Sequence, residues 1–563
     1  MWYKTVRTAI AAGALSVLAV GCGGGSSGSN SNSSMMNTQG LANVSMTDAP
    51  GDYDNVWVTV AAVWIHASNA AGPDDPGWIK FPLPTPVTVD LLTLQNGNLL
   101  QMLGNIQPKN GTYQQIRVFL IGPDAALTAS ATAEKLTYND QVNYQDANDT
   151  EQSSPLELVN PSKGIALYGT FTVAGGSTLD LALDFDVNRD VLPFFVGNQQ
   201  DYVLKPRLAY FDLSHVGAIT GSVNCANLLA AGGNGFAYNL VIKAEMPSST
   251  GSYDVVDRET GVKVDIAGNS CTFTLFPVHV PQGSSTANYD VLIRGRNMET
   301  MIVQGVPVNV GTTPTSGATQ LNMKPLDLTM PMGVSEYTAN MPANMPVIPT
   351  GADVKFYQTL TGGPTYEVRT RGVNPFTGIF TDDEPLSAGD LQVGGYAGGN
   401  PTLGPVAPMD GAGAFMPYGD APSFTRTEVL TGTLTPPVSG VASFTIGSLS
   451  IASPASADSI SGTITVSTAG KYDSGYLIVS HDGYIVTTLP LGPVFSGNSA
   501  GGPYAIANIP GGSSTQSFAP GLYYLHAFVW NSAHPFLTLR RLEDTAVVDL
   551  RSGSATNVDL TLN

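Results

Sequence analysis

The sequence predicts an all-β chain of tandem β-sandwich domains, Ig-like or transthyretin-like, behind a lipoprotein signal peptide and a flexible tether. Three observations lead there. Charged residues are 12 % of the 563, against roughly 25 % in an ordinary soluble domain. Gly (62) and Pro (39) are abundant, which suits many short strands joined by tight turns. Apolar residues also alternate with period two, most cleanly in STLDLALDFDV (177–187). There Leu179, Leu181, Leu183, Phe185 and Val187 point inward, and Asp180, Ala182, Asp184 and Asp186 point outward to a solvated face.

The length suggests three or four domains at about 150 residues each. A formal net charge of −20 repels phosphate backbones, so no nucleic acid is expected as a partner.

Lys4 and Arg7 precede TAIAAGALSVLAV (8–20), an apolar stretch too short to span a bilayer. Ala19-Val20-Gly21-Cys22 resembles the bacterial lipobox, with Ala19 where leucine is commoner. The resemblance implies that residues 1–21 are removed and that Cys22 is lipidated as the mature N-terminus. No aspartate follows Cys22, which by the same resemblance implies the outer membrane, on its periplasmic or its outer side. GGGSSGSNSNSS (23–34), within a tether at 22–39, is uncharged and flexible, as a lipid-anchored domain needs. The membrane is therefore one expected partner.

In residues 40–216, DNVWVTVAAVWIHA (54–67) is apolar on both faces and rich in β-branched residues, which predicts a strand buried on both sides. QQIRVFLIG (114–122) and GIALYGTFTVAGG (164–176) read as further strands, and NLLQMLGN (98–105) as a short helix. SMTDAPGDYDNVWVTVAAVWIH (45–66), VDLLTLQNG (89–97), GTYQQIRVFL (111–120), LDFDV and YVLKPRLAYFD (202–212) follow in that order. Together they resemble the bacterial lipoprotein domain known as domain-of-unknown-function family 4382. The resemblance covers residues 40–216, supports an envelope location and implies no chemistry.

GAITGSV (217–223) resembles the start of a transthyretin-like or carboxypeptidase-regulatory-like β-sandwich. Later segments echo earlier ones: ITGSV (219–223) and ISGTI (460–464), PQGSST (281–286) and PGGSST (510–515), PLDLTM (325–330) and NVDLTLN (557–563). These echoes predict two related sandwiches at 217–330 and 453–563. Between them, 331–452 is rich in Met, Pro and Gly and reads as a loop-rich β module or an insertion.

Asp48, Asp52 and Asp54 crowd around Pro50-Gly51. A turn explains them, because aspartate side chains accept from nearby backbone N–H groups. The alternative is Ca²⁺, held by these three with Asp184 and Asp186; it needs six to eight oxygens, and the spacing of an EF-hand loop is missing. No other cofactor is expected. Cys225 and Cys271 form a disulfide or remain two buried thiols. Gly497-Asn498-Ser499-Ala500-Gly501 has the pattern of a nucleophile elbow, but no helix is expected after it. The six histidines are scattered, and HExxH, CxxC and Walker patterns are absent from the sequence. In GLYYLHAFVW (521–530), Tyr524, His526, Phe528 and Trp530 share one face. If the other face is core, this strip is an exposed platform for a sugar or a protein partner; otherwise it packs beneath a neighbouring element. The expectation is a non-enzymatic, lipid-anchored protein that binds a polysaccharide or another envelope component. The alternative is a structural or assembly subunit, with a serine hydrolase behind both.

Overall fold

The computed structural model describes residues 39–563, except 52, 147–149, 225–239, 252, 266–269, 296–298, 328–335, 341–350, 379–380, 386–390, 410–415, 423, 425–426, 429–441, 444–455, 512–520 and 536–538. The expected signal peptide, Cys22 and most of the expected tether thus lie outside the described residues. Among those described, no helix is long and apolar enough to cross a membrane.

The first sandwich has strands β1 (Leu41–Ala49), β2 (Asn55–His66), β3 (Ile79–Asp90), β4 (Leu100–Ile106), β5 (Gly111–Leu120), β6 (Gln141–Gln145), β7 (Glu151–Leu158), β8 (Ile165–Val173) and β9 (Thr178–Asp186), with β10 (Val191–Val196), β11 (Gln199–Leu204) and β12 (Ala209–Asp212) after them. One sheet runs β4-β1-β9 and is extended by β12; the other runs β3-β2-β5-β8 and is extended through β6 and β7 to β11 and β10. The first strand lies between the fourth, antiparallel, and the last of the seven, parallel. Its core lies between the sheets: Val56, Val58, Val60 and Ile116 from one, Leu181, Leu183 and Phe185 from the other.

This topology occurs three more times. The second sandwich has β13 (Val216–Asn224), β14 (Val241–Pro247), β15 (Asp254–Thr260), β16 (Lys263–Asp265), β17 (Ser270–His279), β18 (Thr286–Arg294), β19 (Met301–Asn309) and β20 (Thr319–Asp327). Its sheets run β17-β13-β20, with β16 outside β17, and β15-β14-β18-β19. The third has β21 (Glu336–Asn340), β22 (Asp353–Thr359), β23 (Thr365–Gly372), β24 (Thr381–Pro385), β25 (Leu391–Gly395), β26 (Gly404–Val406), β27 (Met416–Asp420), β28 (Thr427–Glu428) and β29 (Ala442–Ser443). Its sheets run β24-β21-β29 and β23-β22-β27-β28. The hairpin β25–β26 leaves its own sandwich and adds, parallel, to β19 of the second. The fourth has β30 (Ser456–Val466), β31 (Ser474–His481), β32 (Tyr484–Pro490), β33 (Gly501–Gly511), β34 (Leu522–Trp530), β35 (Arg540–Asp549) and β36 (Leu560–Leu562), in sheets β33-β30-β36 and β32-β31-β34-β35. Segment 331–452 therefore holds a sandwich of the same connectivity as its neighbours.

One pair of sequence echoes falls on equivalent places, while parts of PGGSST and PLDLTM lie outside the described residues. ITGSV and ISGTI lie on the first strands, β13 and β30, beside the parallel last strand. A Cβ at Gly221 would meet the Leu321 carbonyl oxygen at 2.0 Å, and one at Gly462 the Val558 carbonyl oxygen at 2.1 Å. The shared glycine is what lets a neighbouring backbone approach this closely.

Two local expectations are corrected. Residues 98–105 form no helix; most of them lie in β4, because pairing with β1 outweighs the local propensity of Leu and Met. The second face of β9 is not solvated either. Ala182 is fully buried with Val216, Ala218 and Phe276, where the second sandwich covers this sheet.

Candidate functional site

Residues 39–563 form one compact unit, and charged side chains are buried where its sandwiches meet. Between the first and third, the Lys205 ammonium is wholly buried and donates to the carbonyls of Gly351 (3.0 Å) and Ala352 (3.1 Å) and to Asp353 Oδ1 (3.0 Å). Arg207 donates to the other oxygen of Asp353. Burial would raise the Asp353 carboxyl, but Lys205 and Arg207 outweigh it and hold the group below its ordinary range.

Between the first and second, the Arg258 guanidinium pairs with Asp184 and donates to Thr47 Oγ1 (2.8 Å) and the Asp48 carbonyl (2.9 Å). Between the second and third, Lys243 lies 3.3 Å from Glu259 and 3.8 Å from Glu367, and Lys355 lies 3.0 Å from Glu367. Where these three sandwiches meet is a polar cavity of about 140 Å³ walled by Asp184, Asp186, Arg189, Arg258, Glu259 and Glu367 among others.

The fourth sandwich meets the first through the β31–β32 turn. Asp482, at positive φ (54°), accepts from buried Arg117 at 2.6 Å and from the Tyr168 hydroxyl. Burial opposes ionisation of Asp482, yet Arg117 and His481 hold its carboxyl well below the usual range. Nearby, Arg541 grips Glu157 with two hydrogen bonds, one of 2.6 Å from Nε, and reaches Asp124 at 2.9 Å. Burial dominates at Glu157 and pushes its carboxyl up to about 7 against the pull of Arg541. Because the folded state holds this proton more tightly, Glu157 contributes stability at low pH that is lost as pH rises from about 4.5 to about 7. Glu157→Gln is therefore expected to gain on the wild type across that window by about 1–3 kcal/mol, read from denaturation midpoints at pH 4.5 and 7.5. A difference that does not change with pH would contradict it.

The aromatic strip is not the exposed platform that was one expectation. Tyr524, His526, Phe528 and Trp530 are all buried, at 1–6 % exposure. The face of β34 with Tyr523, Leu525, Ala527 and Val529 is the core of the fourth sandwich. The strip packs against the first and third sandwiches: Phe528 lies 6.1 Å from Phe194 and 6.3 Å from Phe376, while Trp530 lies 5.9 Å from Tyr476 of its own sandwich, tilted by 48°. His526 Nε2 meets Ser480 Oγ at 2.6 Å, and burial pushes the imidazole down to about 3, so it stays neutral. The strip is apolar enough to drive this contact, and alternation alone does not say what covers a face.

Of the five aspartates, the parallel pairing of β1 with β9 brings Asp48 beside Asp184 and Asp186. Asp54 accepts from Gln145 at 2.7 Å, Asp184 pairs with Arg258, and Asp186 lies 3.4 Å from Arg189. Asp52 lies outside the described residues. Asp48 caps no turn: it is the last residue but one of β1 and is fully buried. Burial, with Asp184 and Asp186 adding to it, raises its carboxyl well above the ordinary value. Arginines, not a cation, balance Asp184 and Asp186, and no group of three or more metal-ligating side chains occurs among the described residues. Cys271 is buried and disulfide-bonded; Cys225 lies outside the described residues. Ser499 sits in the turn after a short helix, α1 (Gly492–Gly497), with no histidine bonded to it among the described residues.

Residues 39–206 match the family Domain of unknown function (DUF4382). This DUF4382 domain supplies Glu157, Asp184, Lys205 and Arg117 to the seams. No curated protein matches the chain. Among solved structures, it is similar to the Bacillus anthracis TIE protein, at 9 % identity and a TM-score of 0.15 over 96 % of this chain and 75 % of that one. It is also similar to the shaft pilin SpaA from Lactobacillus rhamnosus GG. One structure of that pilin is 10 % identical, with a TM-score of 0.17 over 40 % of this chain and 97 % of the pilin; another is 9 % identical, with 0.15 over 41 % and 98 %.

The missed functional signal is the set of charged residues inside apolar strands. Arg117 in QQIRVFLIG and Glu157 in SPLELV stand where an isolated sheet would bury an unpaired charge. Such a residue implies a partner from elsewhere in the chain.

Proposed function

We propose that this chain is a non-enzymatic envelope or cell-surface lipoprotein whose DUF4382 domain and three further sandwiches act as one stiff body on a lipid-anchored tether. The observation that supports it most is the set of buried ion pairs joining the sandwiches: Lys205–Asp353, Arg258–Asp184, Arg117–Asp482 and Arg541–Glu157. Buried charges tolerate little displacement, because each loses its partner when a seam opens. Linked modules with small polar contacts move by default; this arrangement opposes such motion, as a spacer or structural component requires.

The lipidated N-terminus follows from Cys22 and the segment before it. Metabolic labelling with a palmitate analogue is expected to mark the wild type and not Cys22→Ser, with the variant moving from the membrane to the soluble fraction. A wild-type chain that takes up no label and fractionates as soluble would overturn the anchor. Shaving of intact cells with protease then reports whether the body faces outward.

A second reading, an assembly subunit, draws on β25, which extends the sheet of the neighbouring sandwich through β19. The same edge addition between chains would build a filament. Sedimentation of the full chain separates the two: a monomer supports the spacer, and concentration-dependent polymers support the subunit.

A further inference from the structure

A second cavity, of about 130 Å³, lies between the DUF4382 domain and the fourth sandwich. Its walls include Pro123, Leu158, Val159, Pro161 and Phe528, with Asp124, Glu157, Asn160, His526 and Arg541 as its polar groups. Clefts between domains, largely apolar with a few convergent polar groups, are where small ligands commonly bind. One of these polar groups lacks a partner. Asn160 is 2 % exposed, its Oδ1 accepts from Ser162, and its Nδ2 is buried with no acceptor. The recess on its other side is only about 10 Å³ and has no other polar side chain in its walls. A buried amide donor left unmatched loses its hydration without a replacement bond. Asn160 also sits at φ 62°, in the left-handed region, held there by the structure around it.

We propose that this cavity binds one neutral sugar unit at the end of a saccharide, seated against Phe528 between Asn160 and Glu157. Asn160 Nδ2 can only donate, and the Glu157 carboxyl in the same wall offers acceptor oxygens. Neighbouring sugar hydroxyls do both, and the C–H groups of a sugar ring suit the apolar wall. An anion is disfavoured, since two carboxylates, Asp124 and Glu157, face one guanidinium, whose Nε, Nη1 and Nη2 already bind them. A cation would have to displace Arg541 from Glu157. At about 130 Å³ the cavity has no room for a second unit, so only a terminal one enters. The rest of the saccharide would leave past Asp124, whose side chain is 63 % exposed at the rim. The site is independent of the lipid anchor, and it places sugar recognition in a cleft that includes His526 and Phe528 instead of along an exposed strip.

The test is saturation-transfer NMR on the full chain in a detergent without a sugar headgroup, with the methyl glycosides of glucose, galactose, mannose and N-acetylglucosamine, and with acetate and tetramethylammonium as charged probes. Two variants accompany it. Asn160→Gly keeps the backbone conformation, which glycine adopts freely, and removes the donor. Ala125→Trp, at an exposed residue of the wall, fills the mouth without touching the core. Transfer to at least one glycoside, at least tenfold weaker in both variants at unchanged melting temperature, is the expected result. Transfer to no glycoside, transfer only to a charged probe, or glycoside binding that survives in either variant overturns the proposal.

Discussion

Asp353→Ala is expected to destabilise the body by about 3–5 kcal/mol, the range for removing one partner of a buried ion pair. The substitution strands two cations. Lys205 is wholly buried and keeps only the carbonyls of Gly351 and Ala352. Arg207 keeps Asp420, at 3.6 Å. Lys205 cannot turn to water without opening the seam between the DUF4382 domain and the third sandwich. Denaturant midpoints are the readout, since a chain of several sandwiches need not unfold in two states. The companion is Lys205→Met/Asp353→Asn, which removes the buried ammonium with its counter-charge and leaves Arg207 an acceptor. It is expected to be clearly more stable than Asp353→Ala, because replacing a buried pair is far cheaper than breaking it. If the effects of Lys205→Met and Asp353→Asn simply add in the double variant, the two residues are not coupled, and the seam owes its stability to something else.

Much of the architecture was legible because each strand has its own sandwich core on one face. The leucines and Phe185 of β9 declare an inner face without any knowledge of its partners, and all are buried. The echo of ITGSV in ISGTI was legible for a similar reason, since the same close backbone approach demands a glycine in both first strands. The third sandwich was obscured by its own shortness: β28 and β29 have two residues each, too few to show a period of two. The seams were least legible. Alternation shows that a strand has two faces, and composition shows whether the second is polar, but neither shows what lies against it. The outer face of β9 has aspartates and is covered; the outer face of β34 has aromatics and is covered too. In both cases the deciding contact comes from residues far along the chain, Arg258 for Asp184 and Phe194 for Phe528. Asn160 is harder still, because an asparagine after a strand reads as a turn residue, and only its surroundings leave its amide without an acceptor.

Phe528→Ala distinguishes a covered strip from an exposed one most sharply. Phe528 is 3 % exposed and packs with Phe194 of the DUF4382 domain and Phe376 of the third sandwich. Phe376 in turn lies 4.7 Å from Phe194 and from Tyr476. Removing the Phe528 ring takes away contacts with the first and third sandwiches at once and leaves a cavity that rigid sheets cannot close. The expected cost is about 3–5 kcal/mol, with faster hydrogen exchange in β10 and β32, the strands on either side of the contact. Exchange in β13 and β18, in the second sandwich, is expected to stay unchanged, because local opening follows the contacts that were lost. A surface aromatic would behave differently. Its truncation would shift stability by no more than about 0.5 kcal/mol, and no strand would exchange faster. That outcome would return the strip to the surface and remove the apolar contact from the seam, leaving Arg117–Asp482 and Arg541–Glu157 to hold the fourth sandwich by charge alone. Buried charge without an apolar surround is a poor adhesive, since desolvation consumes most of the attraction. The stiff body therefore depends on the aromatics as much as on the ion pairs: the rings exclude the water that would otherwise weaken both.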